Sequence, residues 1–470
     1  MEYTTLSAFN GINRNVSPFL TEQGDLSEAQ NLTTQKVGIL KKSFDYTIKG
    51  TQIVNNYPIL GATDFFRNDG THKHVVAIDG SSNAEIYIYG ADWATQSQSL
   101  SAGNKVRFAY SPTIDTLFAC NYADATRSYN GTTWSTSTDV TNAPKAKFIF
   151  SFGDRIYLLN CKVGATEFPS RAYRSDAIVT GVAWQTDENI VFNDTITGVS
   201  LNMSDLFVVC QSATYIFTLG DEKFQVSSIG GVSHESIIVH GRYTFYAARD
   251  GYYAFDGRDT FKISLQIQDY WDQISEANYD DIQAVVKGDH IYVYIGDITN
   301  PTDSSETLQN VLFDYNVLQN NWNRGKLGTN ATNLHKFITT SGEEIFMGDD
   351  DGNVYQMFDG SGQQDGADYE SFIETDWSYG SGAGYMDDFR ELWGYGNYLS
   401  ALKASYKTEE RQEWKEIGEL NEDTDVIKFH TRAYKIKFRL AESSGKNLYE
   451  LLRLDVGYMP AYIRNEDRTR

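Results

Sequence analysis

Side chains that commonly perform chemistry are scarce and scattered in this sequence. Among its seven histidines, the closest pair is His72 and His74, in the turn-like segment DGTHKH at 69–74. Two histidines beside a turn are interpreted as an ordinary solvated hairpin and not as a metal site. The acidic run at 349–352, Asp-Asp-Asp-Gly, lacks the alternating ligand spacing and distal glutamate of a calcium loop. It is interpreted as a hairpin turn with solvated acids.

The three cysteines also give no indication of a catalytic or metal-binding role. Cys120, Cys161 and Cys210 each end an apolar, strand-like run. Three cysteines cannot form a closed disulfide framework, so the prediction is buried structural thiols in a protein made in a reducing cytoplasm. No phosphate-binding loop, metal-ligand spacing or nucleophile elbow is present. The sequence therefore predicts no catalytic, cofactor-binding or metal-ligating residue, no cofactor and no enzymatic activity.

Composition indicates an all-β fold. Aromatic residues make up 14% of the 470 residues, and 38 glycines stand against 7 prolines. Aromatic and β-branched side chains suit pleated, half-buried surfaces, while glycine with Asn and Asp supplies turns. No apolar stretch is long enough for a transmembrane helix, and the first residues lack the features of a signal peptide.

The net charge of −23 is concentrated in the middle of the chain. Residues 58–366 hold 38 of the 63 acidic and 20 of the 40 basic residues, a net charge of −18. Such a surface repels phosphate, so tight electrostatic binding of nucleic acid is not expected. The simplest interpretation of this acidity is solubility.

A repeat of about 44 residues runs through this acidic region. In each unit a strand ends in an aromatic residue, followed by an Asp, Asn or Gly turn and another aromatic. The anchoring aromatics are Tyr89, Tyr129, Tyr173, Phe217, Phe255, Phe313 and Phe358. Their spacing matches a β-propeller, whose period is about 40–50 residues.

A second signal in the repeat supports the same fold. Continuous apolar runs such as those at 153–159, 204–210 and 288–295 lack strict alternation. An unbroken apolar strand is buried on both faces of its sheet, as in a blade stacked between neighbouring blades. The prediction is a seven-bladed β-propeller over 58–366, with the large aromatic side chains packed between the blades.

The two ends of the chain follow other patterns. Residues 367–470 are predicted to form an antiparallel β-sandwich of about seven strands, because Tyr434, Ile436, Phe438 and Leu440 alternate with basic residues. Residues 1–57 are predicted to form an arm, with a short helix at 25–31 capped by Asp25. Within this arm, the segment 37–42 is predicted to add the strand that closes the ring. The polar insertion at 296–309 is predicted to be a surface loop.

The opening of the chain resembles a known family. GIN (11–13), SPFL (17–20), AQN (29–31) and the basic GILKK (38–42) resemble the start of tail hub or nozzle proteins of short-tailed double-stranded DNA phages, the packaged-DNA stabilisation proteins. The resemblance continues through 169–176, 229–264 and 347–360. It covers about two-thirds of the chain as patterns; residues 367–470 match only in being β-rich.

The resemblance implies a structural component of the virion tail, assembled in the host cytoplasm. It implies a ring of copies, a hexamer, below the portal and head-to-tail adaptor, with contacts to other tail proteins such as fibres or spikes. The ring would retain the packaged genome and guide its ejection, with double-stranded DNA passing through the lumen without specific binding and no membrane insertion. The arm, the 296–309 insertion and the sandwich are the expected sites of contact between subunits.

Two other functions stay open at this stage. The segment 310–322 resembles a kelch blade, so a propeller scaffold that binds other proteins is one alternative. A propeller enzyme acting on glycans is the other, and it requires two carboxylates at the channel mouth. The fold alone does not separate these possibilities.

Overall fold

The computed structural model describes residues 1–15, 24–135, 142–179, 181–218, 222–339, 342–397, 401–442 and 448–460. Regular structure in these ranges is almost entirely β-strand. The all-β prediction is therefore confirmed. The SPFL segment (17–20) lies outside the described residues.

The first 48 residues contribute five strands. They are β1 (Glu2–Ser7), β2 (Leu26–Gln30), β3 (Leu32–Lys36), β4 (Ile39–Lys42) and β5 (Tyr46–Ile48). The helix predicted at 25–31 is wrong, because this segment is β2. Leu26 and Ala29 are buried in the main core, and this tertiary burial overrides local helical preference.

The first three blades of a propeller follow. Their strands are β6 (Ile59–Phe66), β7 (His72–Ile78), β8 (Asn83–Tyr89), β9 (Trp93–Ser101), β10 (Arg107–Ser111), β11 (Thr116–Cys120), β12 (Arg127–Tyr129), β13 (Lys145–Phe152), β14 (Arg155–Val163), β15 (Thr166–Ser175) and β16 (Trp184–Val191). Blades 1 and 3 are four-stranded meanders, and blade 2 has three strands within the described residues.

Four further blades complete the ring. Their strands are β17 (Ile196–Asn202), β18 (Asp205–Cys210), β19 (Thr214–Phe217), β20 (Lys223–Ser227), β21 (Ile238–His240), β22 (Tyr243–Ala248), β23 (Gly251–Phe255), β24 (Thr260–Lys262), β25 (Gln283–Lys287), β26 (His290–Asn300), β27 (Asp303–Asn316), β28 (Asn321–Lys326), β29 (Ala331–Thr339), β30 (Gly342–Asp349) and β31 (Val354–Met357). Two 3-10 segments, Leu265–Ile267 and Glu276–Asp281, flank the short helix α1 (Gln268–Trp271) between blades 5 and 6. The seven-bladed prediction is confirmed.

The sequence repeat corresponds to one strand position in every blade. Each anchoring aromatic lies at or near the end of the third strand, and the apolar runs are the second strands. Residues of β18 and β22 are buried along almost their whole length. Aromatic rings fill the space between blades, as where Phe207 of blade 4 lies 5.3 Å from Phe255 of blade 5. The burial of large rings between sheets stabilises their stacking.

The ring is closed by an N-terminal strand. β5 forms the fourth strand of blade 7 by pairing antiparallel with β31, with Tyr46 opposite Met357. The prediction that 37–42 closes the ring is wrong: β4 lies in the sandwich instead, where Leu40 and Lys42 are buried. The closing strand must meet the outer edge of the last blade, and Tyr46 provides the aromatic contact there, 5.0 Å from Tyr355.

The last seven strands form the sandwich. They are β32 (Ser371–Thr375), β33 (Asp387–Asn397), β34 (Leu402–Thr408), β35 (Lys415–Leu420), β36 (Val426–Ala433), β37 (Ile436–Glu442) and β38 (Glu450–Pro460). One sheet has the order β3-β4-β38-β33-β36, with β1 also paired to β38. The other has the order β2-β32-β37-β34-β35. Residues 1–57 are therefore not a separate arm, because four of their strands belong to the sandwich.

The alternation in β37 is confirmed except at one position. Ile436, Phe438 and Leu440 are buried, but Tyr434 precedes the strand and is 40% exposed. The insertion at 296–309 is exposed at its tip, residues 302–307, as predicted, but the predicted loop conformation is wrong. β26 and β27 continue as a paired hairpin as far as Asn300 and Asp303, because Ile298 packs into the main core.

One hydrophobic core joins the propeller to the sandwich. This core includes Phe245 of blade 5 and Trp322 of blade 6, together with Phe389 and Phe438 of the sandwich. Ile12 bridges the outer strand of blade 6 to β2, with its amide donating to the carbonyl of Trp322 at 2.7 Å. The two domains are therefore packed as one body.

A buried ion pair ties the N-terminal segment to the sandwich. The Nζ of Lys42 lies 2.6 Å from the Oε2 of Glu442, and both side chains are essentially inaccessible to solvent. The ammonium also lies over the ring of Tyr369, 4.5 Å from its centroid. Charges taken out of water require such compensation.

We expect Lys42→Met to lower the free energy of unfolding by about 3–5 kcal/mol, because the buried Glu442 carboxylate loses its cation. The double variant Lys42→Met/Glu442→Leu should recover most of this loss, since an apolar pair of similar volume replaces both charges. Urea denaturation measures both values. Lys41→Met, at the half-buried neighbouring position, is the control and should change stability by less than about 0.5 kcal/mol. A similarly small effect at Lys42 would contradict this account.

Candidate functional site

The seven innermost strands surround the propeller axis. β6, β10, β13, β17, β21, β25 and β29 each contact the next, and β29 contacts β6 to complete the circle. Clefts and channels at the axis are the usual place for a propeller to bind a small molecule. The axis is therefore the first place to look for a functional site.

An ion pair crosses this axis. The Nε and Nη2 atoms of Arg107 both lie 2.8 Å from Oε1 of Glu235. Arg107 belongs to the inner strand of blade 2, whereas Glu235 lies just before β21 of blade 5. Because blades 2 and 5 are not neighbours, a contact between them must span the channel.

Aromatic and backbone contacts hold this ion pair in place. The guanidinium of Arg107 lies over the ring of Phe148 at 4.7 Å and donates to the carbonyl of Lys147 at 3.0 Å. The ring of Phe148 lies 4.9 Å from that of His234. Side chains from blades 2, 3 and 5 thus meet at the axis.

A second bridge lies beside the first. The Nζ of Lys105 lies 3.0 Å from Oδ1 of Asp281 and 3.7 Å from Oδ2 of Asp280. These acids end the 3-10 segment before blade 6, so this contact also joins blades that are not adjacent. Lys105 and Asp281 line a cavity of about 670 Å³, together with Asp79 and Asp350. With Asp297, the lining holds four acids and one lysine, so this mouth of the channel is acidic.

Near neutral pH, Glu235 at the axis stays ionised and His234 stays neutral. Burial raises the pKa of Glu235, but the nearby charges of Arg107 and Lys105 outweigh it and lower that pKa to about 2. Burial lowers the pKa of His234 to about 4. Neither group has a pKa near neutrality, as efficient proton transfer would require. Glu235 is therefore an ionised partner of Arg107 at neutral pH.

The other end of the inner strands carries a different cluster. On blade 1, Oδ1 of Asp64 lies 2.8 Å from Nδ1 of His74 and 3.1 Å from Nε2 of His72. The predicted hairpin is present between β6 and β7, but the predicted solvation of the histidines is wrong, because both lie on β7 with 21% or less of their side chains exposed. Burial raises the pKa of Asp64, but hydrogen bonds from His74 and the amide of Ile338 hold it below its ordinary value.

A charged groove separates the propeller from the sandwich. It has a volume of about 570 Å³. Glu28 of β2 accepts from Arg324 of blade 6 at 3.1 Å and from Arg14 at 3.4 Å, and Tyr270 also donates to it. On the sandwich side, Lys437 lies 3.0 Å from Glu374. Because these charges neutralise one another, the groove is a polar joint between the domains.

Three further acids of the propeller serve structural roles. The predicted solvated turn is wrong for Asp349, which is buried and accepts hydrogen bonds from Asn353 and Tyr355. Asp256 caps its turn by accepting from the amides of residues 258 and 259. Asp314 is buried in β27 and accepts from Thr33, which links blade 6 to the N-terminal segment.

The cysteines are buried as predicted. Burial raises the pKa of the Cys120 and Cys210 thiols to about 12, so they stay protonated and unreactive. Sequence reasoning missed Arg107 and Glu235 as a pair. They are 128 residues apart, and neither stands in a pattern that marks it.

Comparisons with known proteins inform the fold only. No protein-family model matches the sequence, and no curated protein matches it. Among solved structures, the chain is similar to the WD40 β-propeller domain of Doa1, with 9% identity and a TM-score of 0.41 over 66% of this chain and 96% of that one. It is also similar to Sqt1 of Saccharomyces cerevisiae, with 8% identity and a TM-score of 0.37 over 67% and 98% of the two chains. Within the described residues, no helix has the length and apolarity needed to cross a membrane.

We expect Glu235→Gln to lower the free energy of unfolding at pH 7 by about 1–3 kcal/mol, because Arg107 loses a charged acceptor. The folded-state pKa of Glu235 is about 2, below its ordinary 4.5. Its stabilisation is therefore fully present above about pH 4.5 and is lost as the pH falls toward 2. Urea denaturation of both proteins across this range should show their difference shrinking with falling pH.

The exposed Glu222 supplies the control for this experiment. Glu222→Gln should leave stability unchanged within about 0.5 kcal/mol across the same range. A difference between wild type and Glu235→Gln that stays constant from pH 7 to pH 3 would show that the ion pair does not depress the pKa of Glu235.

Proposed function

We propose that this protein is a structural, non-enzymatic component of a short-tailed phage tail, a hub or nozzle protein. Copies of the chain form a ring, a hexamer, below the portal and adaptor, where the ring retains the packaged genome and guides its ejection. The resemblance of the N-terminal segments to that family motivates the proposal. The observation that carries the mechanical role is the bridging of the propeller axis by Arg107 and Glu235.

Because the axis is bridged, the outer surface of the propeller is the part that contacts other molecules. Side chains from three blades occupy the position where a substrate would otherwise enter. Because the axis of each propeller is bridged, DNA travels through a lumen enclosed by several subunits. The rigid packing of propeller on sandwich through a shared core supports a role as a building block.

Charge favours release of DNA from such a lumen. The chain carries a net charge of −23, most of it in the propeller region. An acidic wall repels phosphates over about one Debye length, roughly 8 Å at physiological salt. DNA would therefore slide past this wall and not be gripped by it.

A closed ring requires two different patches that meet on adjacent copies. The β26–β27 hairpin is one such patch, because residues 302–307 at its tip are exposed. Met1 and Tyr3 are a second exposed site, on the edge strand β1 of the sandwich. Other exposed surfaces of the sandwich remain for the adaptor or portal ring and for fibres or spikes.

Negative-stain images and light scattering of the purified full-length chain should show closed rings of uniform size. Replacing residues 300–306 with Asn-Gly should abolish the rings, because Thr299 and Thr307 already pair across the hairpin and a two-residue turn can join them. Circular dichroism should remain that of the wild type, since Ile298 and Leu308 at the base are kept.

The turn at 164–165 supplies a matched control, because Val163 and Thr166 pair across it in the same way. Replacing these two residues with Asn-Gly should leave the rings intact. Compact monomers of the wild-type chain at every concentration tested would overturn the nozzle proposal and favour a monomeric scaffold. Rings that persist in the shortened variant would overturn only the assignment of the hairpin to the interface.

A further inference from the structure

We propose that Asp64, His72 and His74 bind one divalent transition-metal ion of the zinc class at the junction of blades 1 and 7. Asp64 lies on the inner strand of blade 1, and the two histidines are on the same face of the neighbouring strand, β7. The pairing of Asp64 with His74 and of Phe66 with His72 brings the three side chains to one end of this hairpin.

The distances suit a single ion. One ligand atom from each of the three residues lies within 4.8 Å of the others. The oxygen of Asp64 is 2.8 Å from His74 and 3.1 Å from His72. Bonds of about 2.0–2.1 Å in a tetrahedral site place ligand atoms about 3.3 Å apart. Small side-chain rotations therefore convert the observed cluster into a coordination shell.

A nitrogen in this cluster lacks a hydrogen-bond partner. Nε2 of His72 is buried and lies 3.1 Å from Oδ1 of Asp64, but it makes no well-aligned hydrogen bond to any described residue. A cation between His72 and Asp64 would satisfy this nitrogen.

Neighbouring groups hold the ligands in position. Oδ2 of Asp64 accepts a hydrogen bond from the amide of Ile338 in blade 7 at 2.7 Å, which leaves Oδ1 for the ion. Phe66 stacks on His72, with ring centroids 3.9 Å apart, and Phe337 packs against His74 at 4.3 Å. Such support fixes ring orientation and is characteristic of metal sites.

The ligand set indicates which ion is bound. Two imidazole nitrogens with one carboxylate suit zinc and its neighbours in the first transition row, whereas magnesium and calcium prefer oxygen ligands. Three protein ligands leave a fourth position for water. Because Asp64 also bonds to blade 7, a bound ion would stiffen the junction where the first and last blades meet.

The test is titration of the full-length, EDTA-dialysed protein with zinc chloride in a calorimeter. We expect one zinc ion per chain for the wild type, and a loss of affinity of more than about 100-fold for His74→Gln and for His72→Gln, beyond the effect of removing a supporting group. His430→Gln is the matched control, because His430 is a largely exposed histidine in the sandwich. It should bind zinc as the wild type does.

Cobalt absorption provides a readout that needs no variant. Cobalt(II) bound to the wild-type protein should show the strong visible bands of a four-coordinate site, and zinc should displace it. Absence of these bands, or equal zinc affinity in the wild type and His74→Gln, would overturn the proposal and leave the cluster as a hydrogen-bonded Asp-His pair. This result does not depend on ring assembly, so it stands or falls separately from the nozzle proposal.

Discussion

The pairing of β5 with β31 is the constraint on which the rest of the structure depends. A propeller leaves the outer strand of its last blade to be supplied from elsewhere, and here Tyr46–Ile48 supplies it from the N-terminal side. This pairing joins the two ends of the ring by backbone hydrogen bonds and by the contact of Tyr46 with Tyr355. Because the strand is distant in sequence from β31, the ring closes only when both ends of the propeller region are in place.

The same N-terminal segment also builds the sandwich. Of the four strands before residue 43, β1, β2 and β4 pair with strands that follow the propeller, and β3 pairs with β4, so the chain crosses between the domains at both ends of the ring. The buried pair of Lys42 and Glu442 lies next to this crossing, because Lys42 is four residues before Tyr46, where the closing strand begins. Burial of these charges makes the position of the crossing specific, since displacement of either strand would leave a charge in an apolar environment.

The bridged axis and the shared core both make the molecule rigid. Ion pairs that join blades across the axis resist relative movement of those blades, and the common core resists movement of the sandwich. In the charged groove between the domains, Arg324 pairs with Glu28 and Lys437 pairs with Glu374. A molecule of this kind suits a task that requires shape and surface charge, which is the basis of the proposed role in a ring around DNA.

Local patterns were sufficient to predict the blades. The third-strand aromatics, from Tyr129 to Phe313, and the apolar second strands such as β18 repeat because every blade meets the same two-sided burial. The alternation of Ile436, Phe438 and Leu440 likewise predicted one-sided burial in the sandwich. Segments without such a pattern were predicted wrongly, since 25–31 has helical preference and 37–42 has no feature that identifies its partner.

The amino-acid sequence by itself determined the all-β class, the seven blades and the burial of the cysteines, because these follow from burial patterns repeated within each blade. Only the tertiary structure decided which N-terminal strand closes the ring, that Arg107 meets Glu235 across the axis, and that Asp64 meets two histidines. These contacts join residues from different strands or blades, and their geometry depends on strand register and on how the blades are arranged around the axis. The two histidines looked like part of a solvated turn in the sequence, and only their position in three dimensions shows that they surround the carboxylate of Asp64.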